Sequence, residues 1–200
     1  MLLVLLIPVY LWSFVCPADR YTWVLEMLPV IIGLLILVPT YTRFRLTNMT
    51  YTLIWIHAVV LLVGAHYTYA EVPLFNWIQN VFDLSRNHYD RLGHFVQGFV
   101  PAIIAREVLI RTSPLKNSKW LPITVISMCL AFSAIYELLE WAVAVISGTA
   151  AEAFLGTQGD VWDTQKDMAL CLVGSVVSLI LLSRWHDRQL AKIASGNEAS

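Results

Sequence analysis

Four short stretches of a mostly apolar chain carry side chains that could bind a cation or move a proton. In YDRLGHFVQGF, Asp90, His94 and Gln97 stand at i, i+4 and i+7, which is one face of a helix. In SAIYELLEW, Glu137 and Glu140 stand at i and i+3, with Ser133 one turn earlier. In FLGTQGDVWDTQKDM, Asp160, Asp163 and Asp167 share a face if a helix begins by Val161. His66 lies at the end of a fourth apolar run, with Glu71 just beyond it. Mixed carboxylate and imidazole ligands suit a divalent metal such as Zn, Mn or Mg, whose bound water becomes a usable nucleophile. A carboxyl group displaced by burial also serves as a general acid or base. The candidate ligands are Asp90, His94, Glu137, Glu140, Asp160, Asp163, Asp167 and His66, and the candidate catalytic groups are Glu137, Asp163 and His94. None of these spacings is a ligand motif such as HExxH, and no Ser or Cys has an obvious base beside it.

Plainer roles compete for the same residues. Asp160 follows Gly159 and can cap a helix, with Asp163 in its first turn. Asp90 can form a surface pair with Arg86 or Arg91, worth little. His57, nine residues before His66, faces the other way and reads as a packing residue. Arg106 and Glu107 read as snorkelling groups, and Glu26 as interfacial. Glu137 and Glu140 resist such readings best, because apolar runs flank them on both sides and a buried carboxylate needs a partner, a proton or a metal.

The elements that must position these groups are membrane helices. The chain has 200 residues, 58% hydrophobic and 14% charged, where soluble domains are about 45–50% apolar and about 25% charged. Mean hydropathy is +0.66. Eight Trp and eight Tyr fit aromatic belts at membrane–water boundaries. A net charge of −1 without a Lys/Arg cluster excludes a nucleic-acid binder. Cys16, Cys129 and Cys171 have no paired spacing, so neither a disulfide framework nor a zinc ribbon is expected.

Six apolar stretches, near residues 1–15, 22–39, 52–69, 94–110, 120–147 and 168–185, predict an all-α polytopic bundle of about six transmembrane helices in one integral domain, residues 1–190. The first stretch is short for a span. It lacks the basic start and cleavage site of a secretion signal, so a retained helix is expected. Residues 191–200 read as a flexible polar tail. Arg43 and Arg45, then Arg111, Lys116 and Lys119, then Arg184, Arg188 and Lys192 fall in alternate connections. The positive-inside rule therefore puts both termini in the cytoplasm, and all four candidate stretches approach the outer leaflet. Leu74, Trp77, Ile78 and Val81 predict a short amphipathic helix lying in that outer interface. Helix seams are expected at Gly98 and Ala102, Ser127 and Ala131, and Gly174 and Ser178.

YDRLGHFVQGFVPAIIARE, ELLEW, FLGTQGDVWDTQKDM and GAHYTYAEVP together resemble the YjdF-like family of bacterial inner-membrane proteins, from about residue 50 onward. The resemblance implies a multi-pass inner-membrane location and supplies no reaction. A remoter similarity joins DRLGHF, YELLEW and GDVWDTQKDMALCLVGS to VanZ-like membrane proteins of the cell envelope. It implies Asp90, His94, Glu137, Asp160 and Asp163 as a shared polar set. The chain departs from that pattern at Glu140 and Asp167, where a Gln and an Asn are usual.

Three functions fit. The first is metal-assisted chemistry on, or binding of, a lipid or envelope-linked substrate. The second is a polar network that only fixes helix packing. The third is a small proton- or cation-coupled transporter, although the inner half offers mainly His57, Arg106 and Glu107 to a path. Neither the oligomeric state nor turnover is legible.

Overall fold

The computed structural model describes residues 1–147 and 157–197, and the described residues contain α-helices and no strand. The helices are α1 (Leu2–Phe14), α2 (Arg20–Thr40), α3 (Asn48–His66), α4 (Pro73–Val81), α5 (Tyr89–Thr112), α6 (Trp120–Ser147) and α7 (Asp163–Asn197). Local chemistry sets several of the starts. Asp19 caps α2 by accepting from the Thr22 N–H, Thr47 caps α3 by accepting from the Thr50 N–H, and Pro73 opens α4.

Helices α2, α3, α5, α6 and α7 are long and apolar enough to cross a membrane. At 13 residues, α1 rises only about 20 Å, short of a hydrocarbon core of about 30 Å. It nevertheless joins the bundle parallel to α3. The Ser13 hydroxyl at its end donates to the Leu62 carbonyl (2.7 Å), and His66 Nδ1–H donates to the Ser13 carbonyl (3.0 Å). At the opposite end of α3, the Met49 N–H donates to Gln189 of α7 (3.0 Å). One end of the bundle thus gathers the ends of α1, α3 and α6 with the starts of α2, α5 and α7.

Two groups of helices make the core. Leu6, Trp23, Met27 and Leu62 join α1, α2 and α3, whereas Ala102, Val125, Cys129 and Cys171 join α5, α6 and α7. Packing of α3 on α5 connects the groups. The outer surface is apolar: Ile32, Leu35 and Ile36 of α2, Leu138 and Trp141 of α6 and Ile180 and Leu181 of α7 are all exposed. Such a surface suits lipid and not water.

Several expectations change. The last helix spans Asp163–Asn197 instead of 168–185, and its polar end continues through most of the stretch expected to be a loose tail. The other helices begin or end a few residues from the expected limits, apart from α6, which runs over 120–147. Helix α4 forms where expected and leaves Leu74, Trp77 and Val81 exposed. Gly98 and Gly174 do form a seam between α5 and α7. Ser127 and Ala131 do not, because they face outward while Val125, Cys129 and Ser133 carry the buried face of α6. The cysteines are free thiols, and Cys171 Sγ–H donates to the Cys129 carbonyl at 3.5 Å.

Arg106 and Glu107 do not snorkel. Both are buried, with Glu107 and His186 wholly enclosed, at the end of the bundle away from the candidate site. The Glu107 carboxylate accepts from the Thr47 N–H, the Thr50 hydroxyl, Arg111 and His186. The partners come from α3, α5 and α7, so the network ties three helices together.

Candidate functional site

At the opposite end, the turn before α5 and the first turns of α5 and α7 converge. Asn87, just before α5, and Gln158, in the turn before α7, bond reciprocally: the Asn87 N–H donates to Gln158 Oε1 and Gln158 Nε2 donates to the Asn87 carbonyl, both at 3.0 Å. Gln158 and Gly159 both have positive φ (+47° and +84°), which bends the chain sharply ahead of α7. The Asn87 side chain also donates to the Val72 carbonyl and to Asn76, fastening α4 to the same place.

Arg86 sits at the centre, with its side chain only 3% exposed. It pairs with Asp90 at 3.2 Å, with Asp160 at 3.9 Å and, in shorter contact, with Asp163. Asp160 further accepts from Arg91 and Lys166, each at 2.6 Å. The expected surface pair of Asp90 is therefore part of a buried hub around Arg86, and Arg91 serves Asp160 instead. Asp160 is not the N-cap of α7 in the expected form, since the helix begins at Asp163 and the Asp160 carboxylate accepts from the Trp162 N–H. The hydrogen bond from Lys166, then that N–H and the nearby Arg91, hold the Asp160 carboxyl down at about 2. Lowered below its ordinary 3.8, the group contributes stability above that value and loses it as pH falls toward about 2. The melting difference between wild type and Asp160→Asn should therefore be the same at neutral pH as near about pH 5; a difference that shrank by pH 5 would refute this assignment.

Behind the hub lie groups with less compensation. His94 is buried one turn below Asp90, with Nε2 3.4 Å from Asp90 Oδ1. Its Nδ1 is 2.9 Å from Gln97 Oε1 and 3.7 Å from Glu137 Oε1. Gln97 Oε1 can only accept, so Nδ1 carries a proton and Nε2 is left to Asp90 or to an ion. Asp90, His94 and Asp167 each offer one ligand atom, and these atoms lie within 4.8 Å of one another. Glu137 Oε1 and Asp167 Oδ1 are buried with no hydrogen-bond partner among the described residues. Orphaned carboxylate oxygens beside an imidazole are what a divalent cation would satisfy.

The eight candidate ligands thus divide. Asp90, His94, Glu137 and Asp167 come together, and Glu140 is buried beside them. Asp160 and Asp163 belong to the arginine hub. His66 is not in the cluster: its ring packs on Trp12 and Tyr67 and bonds the Ser13 carbonyl. Helical counting placed it at the correct end of the bundle, but α1 occupies the side it faces.

Two cavities flank the cluster. One of about 140 Å³ lies between α6 and α7, lined by Glu137, Glu140, Asp163, Thr164 and Asp167. The other, about 250 Å³, lies among α2, α3, α5 and α6, with Glu26, Asp90, His94, Tyr136 and Glu140 in its wall. Glu26, expected at the interface, is buried and accepts from the Tyr136 hydroxyl at 3.1 Å. Sequence reading missed Arg86 as the hub; its place four residues before Asp90 was the available signal. Glu26 and Tyr136, 110 residues apart, offered none.

Residues 1–188 match a family described as "Predicted membrane protein (DUF2238)". The inner membrane protein YjdF of Escherichia coli (strain K12) is 49% identical over 174 residues, covering 87% of this chain and 83% of that protein. No solved structure matches.

Proposed function

We propose, for a chain that belongs to the DUF2238 family of membrane proteins and is a multi-pass inner-membrane protein, that Asp90, His94 and Asp167 bind a divalent cation at the outer leaflet. The bound site acts on, or holds, a lipid or envelope-linked substrate. The observation that carries this reading is the set of three ligand atoms within 4.8 Å of one another, beside two carboxylate oxygens buried without partners among the described residues. When bound, such an ion supplies Lewis acidity and a water of lowered pKa.

The chain's own residues do the rest. Gln97 fixes the His94 ring so that Nε2 faces the ion. Glu137, 3.7 Å from His94, takes the proton from the attacking group or completes the ligand set. Asp160 and Asp163 are positioning residues, because Arg86, Arg91 and Lys166 hold them and through them the start of α7.

The test is the metal content of protein purified in detergent and supplied with Zn or Mn, read by elemental mass spectrometry. Wild type should hold about one ion per chain, and folded His94→Ala and Asp167→Asn none. Gln97→Leu should fold and bind about 10–100-fold more weakly, as expected when the partner that orients a ligand is lost. A wild type that takes up no ion from excess metal would sink the reading. The Arg86 hub would then favour the second one, a polar network that only holds the helices together, with Asp167→Asn lowering stability instead.

A further inference from the structure

We infer that the larger cavity is a lateral lipid site, taking one alkyl chain whose head is a hydrogen-bond donor, a hydroxyl or an ammonium, in preference to an anion. It deepens the reading above, on which it rests for the lipid's role as substrate, while the binding itself needs no ion.

The first observation is an opening toward the bilayer. Helix α2 packs on α3 and makes no close packing with α6. The Tyr136–Glu26 hydrogen bond bridges that gap. Phe132, Ile135 and Leu139 line the cavity from α6 and are also more than half exposed, so they border lipid. Pro29 and Leu61 complete an apolar wall. A chain entering between α2 and α6 meets hydrocarbon first.

The second observation is the polar lining at one end. Glu26, Asp90 and Glu140 line the cavity together with His57 and His94, and among the described residues no Lys or Arg does. Arg91 faces Asp160 instead, and the described pairs of Arg86 run to Asp90, Asp160 and Asp163. A phosphate or carboxylate head would find no Lys or Arg in that lining to balance it out of water, whereas a hydroxyl or ammonium would meet carboxyl acceptors.

The third observation is the construction of that end around Tyr69. Thr68 and Tyr69 follow α3 with φ of +55° and +57°, a conformation that side chains other than glycine rarely adopt. The turn folds Tyr69 back into the bundle, where its ring fills a slot left by two glycines. A Cβ on Gly64 would overlap the ring, and one on Gly93 would lie 3.1 Å from it. The Tyr69 hydroxyl is buried, faces Glu26 and closes no hydrogen bond of normal geometry. Strain kept at a buried polar group marks a site held for use, and the hydroxyl is poised to bond an arriving head.

The experiment uses the full chain in detergent, treated with a chelator, and three probes of equal chain length: hexadecylamine, hexadecan-1-ol and hexadecyl phosphate. Native mass spectrometry should show one-to-one adducts with the amine and the alcohol, and about tenfold less with the phosphate. Leu139→Trp fills the apolar wall from a lipid-facing position and should abolish the adducts while eluting as wild type. Glu26→Gln should lower amine binding and spare the alcohol. Phosphate bound as well as amine, or adducts unchanged in Leu139→Trp, would overturn the inference. Because no ion is present, adducts without metal uptake would defeat only the cation reading, and metal uptake without adducts only this one.

Discussion

Gly98→Val is expected to prevent the native bundle from forming. Helices α5 and α7 meet backbone to backbone. A Cβ added at Gly98 overlaps the Cys171 carbonyl group, coming within 2.7 Å of its carbon, and one at Gly174 comes within 3.0 Å of the Phe95 carbonyl carbon. A side chain can turn away from an intruder, but a helix backbone can only move as a body. Ordinary overpacking costs about 1–3 kcal/mol, and this contact should exceed that range. Separation of α5 from α7 would also part Asp90 and His94 from Asp167, so any chain that accumulates should hold no metal. Gly33→Ala is the control, since nothing lies within 4 Å of a Cβ there. It should be neutral or stabilising by up to about 1 kcal/mol. Size-exclusion profile and melting temperature in detergent decide the matter, and a Gly98→Val protein that melts like wild type would show that the seam is loose.

Glu107→Leu should cost roughly 3–5 kcal/mol, the usual penalty for removing one member of a buried ionic network. Donors from three helices converge on that carboxylate: the Thr47 N–H at 2.9 Å, the Thr50 hydroxyl at 2.7 Å, Arg111 at 2.9 Å and His186 Nε2 at 3.1 Å. Arg106 lies 3.1 Å from His186 Nδ1 and can only donate. His186 is therefore the Nε2–H tautomer, neutral and bonded on both sides. Loss of Glu107 leaves these donors buried and unanswered. His186→Leu should be destabilising in the same way, and the double variant should fall well short of the sum, because both changes break one network. Seventeen residues of α5, about 25 Å, separate Glu107 from Asp90. On the cation reading, the folded fraction of Glu107→Leu should accordingly take up metal as the wild type does. Additive melting shifts would refute a single network, and loss of metal with the fold intact would refute the separation of the two ends.

The outer residues were partly legible because helical spacing is local. Asp90, His94 and Gln97 share a face whatever packs against them, and apolar flanks made Glu137 and Glu140 costly to explain away. His186 was not legible as a partner of Glu107, 79 positions earlier, because no local period connects them. The polar end of α7 was read as a tail for a related reason. The run RQLAKIAS has only the narrow apolar face of Leu190, Ile193 and Ala194, yet its Ala, Leu, Arg and Lys favour helix, and Asp187 and Gln189 are held by Arg106 and Met49.

Composition and periodicity by themselves determined that this chain is a multi-pass helical membrane protein, with its candidate ligands gathered at one end. Burying an apolar helix in lipid needs only length and hydropathy, and both are written along the chain. Only the tertiary structure decided which carboxylates meet His94, that Arg86 claims Asp163 and Asp160, that His66 turns to α1, and that Glu26 closes a cavity with Tyr136. Those outcomes depend on the rotation of each helix about its axis and on its neighbours. Spacing within one helix leaves that rotation free, and it is set by contacts such as the Gly98–Cys171 seam between residues far apart in the chain.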